Sequence, residues 1–145
     1  MIHGIGVDII SVARVERLTV RHGAERFARR ILHESEWDDF RAARQPARFL
    51  AKRFAVKEAA AKALGTAIRG GVQFADFALG HAAAGTPQLR LHGVAAERAA
   101  AAAVVATQIS LSDEVEQVVA FAVFERADPF AQDGLQPDTP RPAAR

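Results

Sequence analysis

Two acidic residues and one lysine have the types and spacing that could support phosphate chemistry. In the segment FLAKRFAVKEAAAKALG, which reads as a helix, Glu58 and Lys62 are four residues apart. Each residue of an α-helix advances by about 100°, so these two side chains project from one face. The same spacing is typical of an ordinary surface ion pair, which stabilises a helix by only about 0.2–0.5 kcal/mol.

A second carboxylate, Asp8, lies in HGIGVDII, whose glycines and β-branched residues predict a buried strand over residues 3–10. A buried carboxylate needs a partner or a cation. Together, Asp8 and Glu58 suit Mg²⁺, which takes one or two protein carboxylates and completes its coordination with water and substrate phosphates. Lys62 could then bind a phosphate oxygen. The alternative is a buried salt bridge between Asp8 and an arginine.

The sequence lacks the residues and motifs that several other chemistries require. The chain has no cysteine, which excludes disulfides, thiolate metal sites and cysteine nucleophiles. Neither a GxxxxGK[ST] phosphate loop nor a GxSxG nucleophile motif occurs, and the five histidines lack metal-ligand spacing. No run approaches the roughly 20 apolar residues of a membrane span, and the N-terminus lacks signal-peptide features. We therefore expect a cytoplasmic, unprocessed protein that does not bind membranes.

Arginines are concentrated near the N-terminus. A formal charge of +2 over 145 residues is too small for bulk attraction to a polyanion, so their placement matters more than their number. Ser11 and Gly23 predict the start and stop of a helix over residues 12–22, which presents an arginine face of Arg14, Arg17 and Arg21 around Leu18. This face predicts an acidic protein partner. Nucleic acid is a weaker candidate, because aromatic residues do not alternate with the arginines.

The remaining pattern divides the chain into helical and alternating segments. Helices are predicted over residues 24–31, within SEWDDFRAAR with Ser35 as its cap, over 48–64 ending at Gly65, and within VAAERAAAAAVV. Strands are predicted at VQFADFAL, QLRLHG, TQISLSD and QVVAFAVFE. Residues 1–126 form the predicted domain, and the Pro- and Asp-rich composition of residues 127–145 predicts a disordered tail.

Two motifs in this order resemble one known family. GIGVDI and FAVKEAAAKA match the GIGxDI and FxxKEAxxKA patterns of the holo-acyl carrier protein synthases, which are small 4'-phosphopantetheinyl transferases. The likeness extends over about residues 2–125 through EWDDF, TPQLRL and ISLSDE. It implies an α+β fold with helices packed on a small, mainly antiparallel sheet. It also implies a homotrimer with an active site in each cleft between subunits.

The resemblance implies an enzyme that moves the 4'-phosphopantetheine arm of coenzyme A to a serine of apo-acyl carrier protein. The other product is 3',5'-ADP. Asp8 and Glu58 would hold Mg²⁺, and these two residues with Lys62 would be catalytic. The implied contacts with coenzyme A are Arg48, Arg53, Lys62, Gly65, Pro87 and Gln108. The alternative function is a non-catalytic module that docks acidic proteins through the arginine face.

Two departures from the family pattern bear on this reading. Gln108 stands where many members have a histidine, so Glu58 or a metal-bound water becomes the expected proton acceptor. Ala67 replaces the last glycine of the usual Gly-Thr-Gly after the long helix.

Overall fold

The computed structural model describes residues 1–83 and 85–128. Its elements are β1 (Ile2–Ser11), α1 (Val12–His22), α2 (Ala24–Ile31), α3 (Trp37–Ala42), α4 (Pro46–Ala63), β2 (Phe77–His81), β3 (Pro87–Leu91), α5 (Gly93–Ala101), β4 (Val104–Asp113) and β5 (Gln117–Arg126). Two short 3₁₀ helices, Glu34–Glu36 and Phe74–Asp76, precede α3 and β2. Of the predicted tail, residues 129–145 lie outside the described part of the chain.

Two antiparallel sheets carry the strands. The larger sheet has the order β1-β5-β4, and β2 pairs with β3 in a separate hairpin. Along β5 the side chains alternate, so that Val118, Ala120, Ala122 and Phe124 are fully buried on the inner face. The long helix α4 packs on this inner face. The arrangement confirms the predicted α+β class.

The alanines and glycines of the two motifs bring α4 and β1 into backbone contact. A Cβ placed on Gly4 would lie 2.1 Å from the carbonyl oxygen of Ala63, and one on Gly6 would lie 1.9 Å from that of Ala59. Neither distance is possible for a real side chain, so only glycine fits at these positions of β1. The GIGVDI motif of β1 therefore packs directly against the FAVKEAAAKA motif of α4. This contact fixes the position of Asp8 along α4.

The arginine-rich helix follows its predicted bounds. The Ser11 side chain accepts a hydrogen bond from the Arg14 backbone N–H, and Gly23 has a φ of 82°, in the region that favours glycine. Val12 and Val15 are buried while Arg14, Arg17 and Arg21 are exposed, as the predicted arginine face requires. The helix predicted over residues 24–31 is confirmed as well.

Two local predictions are wrong. Ser35 does not cap the third helix: its own N–H donates to Nδ1 of His33, and the N–H of His33 donates to the Glu36 carboxylate, so a 3₁₀ turn comes first. In VQFADFAL, the Asp76 carboxylate accepts from the N–H of Gln73 and folds the start into another 3₁₀ turn. The strand therefore begins only at Phe77.

Within residues 1–83 and 85–128, none of the helices is both long and apolar enough to cross a membrane.

Candidate active site

The three residues singled out for chemistry come together where β1 faces the C-terminal half of α4. The Nζ atom of Lys62 lies 2.9 Å from Oδ1 of Asp8 and donates a second hydrogen bond, of 2.8 Å, to the Val7 carbonyl. The partner of Asp8 is thus this lysine, 54 residues away, and not an arginine. We refer to Asp8, Glu58 and Lys62 as the site cluster.

Glu58 is the carboxylate of this cluster whose protonation is most perturbed. Partial burial raises its pKa above the ordinary 4.5, the negative charge of Asp8 raises it further, and Lys62 partly opposes both effects. Asp8 must therefore be close enough for the two carboxylates to repel each other. With two acids and one base, the site cluster keeps an excess negative charge.

The donor set can be tested against the implied Mg²⁺. The described residues contain no group of three or more acidic, histidine or cysteine side chains that could hold a metal ion. Two neighbouring carboxylates nevertheless suit an ion that keeps most of its positions for water and phosphate oxygens. The excess negative charge also favours a cation. Asp8 and Glu58 therefore fit Mg²⁺ as its two protein ligands.

A second ion cluster on α4 did not appear in the sequence analysis. Lys57 is fully buried, and its ammonium contacts the Glu36 carboxylate and donates to the Ile31 carbonyl at 2.6 Å. Nε of Arg53 lies 2.9 Å from Oε1 of Glu36, an ion-pair distance at which its N–H is not aligned for a hydrogen bond. Desolvation lowers the pKa of Lys57 to about 8, although Glu36 opposes the shift. We call Glu36, Arg53 and Lys57 the buried ion cluster.

This cluster changes the interpretation of Arg53, which was predicted to bind coenzyme A. Its side chain is only 5% exposed, and its guanidinium also lies over the Phe49 ring, 4.3 Å from the ring centre. To reach a ligand it would have to leave Glu36. We therefore leave Arg53 out of the proposed coenzyme A site.

The other predicted coenzyme A contacts lie on several elements. Gly65, with a φ of 78°, follows α4 next to the site cluster, while Pro87 begins β3. The guanidinium of Arg48 donates to Asp113 and to the carbonyls of Glu114 and Val115, and so ties α4 to the β4–β5 turn.

Gln108 lies on the opposite side of the sheet from Asp8. It pairs with Val123 of β5, whose side chain is on the outer face, whereas Asp8 pairs with the buried Ala120 of the inner face. Residues that pair directly across antiparallel strands project to the same face. One subunit alone therefore does not bring Gln108 and Asp8 to the same site.

An apolar cleft lies where α2, α4 and the 3₁₀ helix Phe74–Asp76 meet. Phe54 lies one turn before Glu58 on α4, and its ring packs 5.1 Å from that of Phe74. The cleft has a volume of about 450 Å³ and is lined by these rings with Phe27, Arg29, Arg30 and Ile68. The FxxKE spacing could have indicated it, because it places Phe54 and Glu58 on one helix face.

Comparisons with known proteins identify the family. Residues 4–122 match the 4'-phosphopantetheinyl transferase superfamily, and the chain belongs to that family. The chain is 54% identical over 123 residues to the holo-[acyl-carrier-protein] synthase of Halorhodospira halophila, covering 85% of this chain and 97% of that protein.

Solved structures show the same fold. The holo-[acyl-carrier-protein] synthase of Neisseria meningitidis superposes with a TM-score of 0.80 at 44% identity, over 87% of this chain and 100% of that one. The synthase of Bacillus anthracis, solved in complex with coenzyme A (3',5'-ADP), gives a TM-score of 0.72 at 32% identity, over 88% and 99% of the two chains.

Proposed function

We propose that this protein transfers the 4'-phosphopantetheine arm of coenzyme A to a serine hydroxyl of apo-acyl carrier protein and releases 3',5'-ADP. The observation that carries the proposal is the convergence of Asp8, Glu58 and Lys62 where the two family motifs touch. Two relatives support it. The Halorhodospira halophila protein is named holo-[acyl-carrier-protein] synthase, and the Bacillus anthracis synthase was solved in complex with coenzyme A (3',5'-ADP).

The proposed reaction requires the protein mainly to position the reactants and to neutralise the charge of the phosphate. The serine oxygen forms a bond to the phosphorus next to the pantetheine arm, and the bond from that phosphorus to the bridging oxygen of 3',5'-ADP breaks. Such transfers depend mainly on positioning and on neutralising the phosphate charge. Mg²⁺, which we propose Asp8 and Glu58 hold, would supply that neutralisation when bound.

Residues of the chain would bind the phosphate and accept the proton. Lys62 binds a phosphate oxygen of coenzyme A, while Gly65 leaves room beside it. Glu58 is our candidate for accepting the serine proton, because it is a carboxylate beside the phosphate-binding lysine and Gln108 cannot take a proton. The rigid contact of α4 with Gly4 and Gly6 keeps these groups in place.

One measurement tests the function. Apo-acyl carrier protein incubated with this protein, coenzyme A and Mg²⁺ should gain the mass of phosphopantetheine, and the same mixture with a chelator should not. A carrier protein that binds but keeps its mass would favour the alternative of a non-catalytic docking module.

We propose that the arginine face of α1 docks the carrier protein. Arg14, Arg17 and Arg21 are exposed around the half-buried Leu18, and the apolar cleft at Phe27 lies on the same side of the molecule. Charges at the rim of an interface mainly steer association. Reversing Arg14 and Arg21 to glutamate should therefore lower kcat/KM for the carrier protein, with a loss that shrinks as salt rises. The affinity for coenzyme A should stay the same, and a parallel loss would place these arginines at the nucleotide instead.

We also propose a homotrimer with the active site between subunits. The outer face of the larger sheet exposes five large apolar residues at 38–59% of their surface: Ile5, Val7, Ile9, Val119 and Phe121. Such a patch is unusual for a monomer. A neighbouring copy covering it could bring its Gln108 and Pro87 to the site cluster of the first. Light scattering should give three times the chain mass, and Phe121→Asp should give monomers with little activity.

The cytoplasmic location and the absence of membrane and nucleic-acid partners stay predictions from the sequence.

A further inference from the structure

The ammonium group of Lys62 lies beside the Asp8 carboxylate, where a metal cation bound to Asp8 would lie. Its Nζ atom is 2.9 Å from Oδ1 of Asp8, and a second hydrogen bond to the carbonyl of Val7, the preceding residue, fixes it against β1. Lysine has three N–H donors and no acceptor. Two of the three are therefore directed at the strand that carries the metal ligand, and not at the space a phosphate would fill.

The charges around Asp8 explain this position. In the part of the chain that the structure describes, Lys62 is the only cationic side chain within ion-pair distance of Asp8. Glu58 supplies a second carboxylate near Asp8, and the two negative charges repel each other. Without a bound metal, the ammonium of Lys62 is the group that offsets this repulsion.

We propose that Lys62 serves as the counter-ion of Asp8 in the free enzyme and is released to the phosphates of coenzyme A when a divalent cation binds. This inference rests on the proposed function. Lys62 and the cation compete for Asp8, so the lysine weakens cation binding to the free protein. Once Asp8 has the cation, Lys62 is available to a phosphate. By linkage, a phosphate ligand that draws Lys62 away must strengthen cation binding by the same factor.

Binding of Mn²⁺ to the full chain without coenzyme A, measured by calorimetry, tests the competition. Lys62→Met should bind Mn²⁺ about two- to fivefold more tightly than the wild type, the scale expected from the loss of a partly exposed ion pair. Lys62→Gln, which can still donate to Val7, should behave similarly.

Lys52→Met is the matched control. Lys52 lies on the same helix and forms its own ion pair with Asp113, also at 2.9 Å and with similar exposure. The control removes the same charge without uncovering Asp8, so its Mn²⁺ affinity should equal that of the wild type. An equal gain in the Lys52 and Lys62 variants, or no gain in either, would overturn the inference.

The reciprocal effect uses 3',5'-ADP as the phosphate probe. In the wild type, Mn²⁺ and 3',5'-ADP should each tighten the binding of the other, and the factor should be smaller in Lys62→Met. An unchanged factor would mean that the lysine does not move between the two partners.

Asp8→Asn and Glu58→Gln separate the inference from the proposed function. If neither weakens Mn²⁺ binding, the metal assignment fails and takes the inference with it. If both weaken it but the Lys62 variants bind Mn²⁺ no more tightly, only the inference fails.

Discussion

Adjacent residues of α4 belong to two ion clusters with opposite properties. Lys57 belongs to the buried ion cluster, where Glu36 lies within ion-pair distance of Lys57 and Arg53, and Asp39 lies 3.6 Å from Arg53, so that the charges balance. Glu58 belongs to the half-exposed site cluster, where two carboxylates share one lysine. The charges of the buried ion cluster are balanced by residues of the chain. The site cluster keeps an excess negative charge, which a bound cation would neutralise. This difference separates a structural group from the proposed metal-binding group on the same helix.

The largest predicted effect comes from breaking the buried ion cluster. Glu36→Gln leaves two cations in the interior without their carboxylate, which should cost about 3–5 kcal/mol of unfolding free energy. Lys57→Met should cost less, because Arg53 still pairs with Glu36. Urea unfolding measures both, with the exposed neighbour Glu34→Gln as the control. Equal stability of Glu36→Gln and Glu34→Gln would show that the cluster contributes nothing.

The site cluster should respond in activity and hardly in folding. Asp8→Ala and Glu58→Ala should each lower turnover by about two to three decades, since each removes a charge from the proposed metal site, and a decade corresponds to ~1.4 kcal/mol. The circular dichroism spectra should match the wild type. Near-normal rates at saturating Mg²⁺ in either variant would contradict the assignment of that residue.

Sequence signals predicted most of the elements and grouped the residues of the site cluster, but they did not indicate the buried ion cluster. The bounds of α1 and α2 were predictable because Ser11 and Gly23 act on their own neighbours. Asp8 and Lys62 are 54 residues apart; their residue types suggested one metal and phosphate site, but the ion pair between them was not predicted. Glu36 and Lys57 have no local signal, because a buried pair 21 residues apart is created by packing. The same holds for the fit of Gly4 and Gly6 against α4.

A smaller effect should separate function from stability at Glu58. Because its pKa is raised in the folded state, the folded protein binds more protons than the unfolded chain as pH falls toward 4.5. Its charge therefore destabilises the fold at neutral pH. Glu58→Gln should raise the free energy of unfolding at pH 7 while abolishing most activity.

The pH dependence gives the control for this prediction. Below pH 4.5 the Glu58 carboxyl is protonated in both states, so the advantage of Glu58→Gln should disappear there. Urea unfolding at pH 7 and pH 4 in metal-free buffer would show it. A variant less stable than the wild type at pH 7 would mean that the attraction of Lys62 outweighs the burial of Glu58 and its repulsion by Asp8.

The smallest predicted effect concerns the backbone conformation of Ala67, in the turn that follows the C-terminus of α4. Ala67 has a φ of 51°, in the left-handed region, while its N–H donates to the Ala61 carbonyl at 3.1 Å. A residue with a Cβ is strained in this region, and glycine is not. Ala67→Gly should therefore raise the free energy of unfolding by about 0.5–1 kcal/mol, after the greater entropy of glycine in the unfolded chain is subtracted. Ala43→Gly is the control, because Ala43 has a φ of −69° and should lose stability on the same change. If both variants lose stability equally, the left-handed conformation costs the chain nothing, and the turn next to the site is as relaxed as the helix end at Ala43.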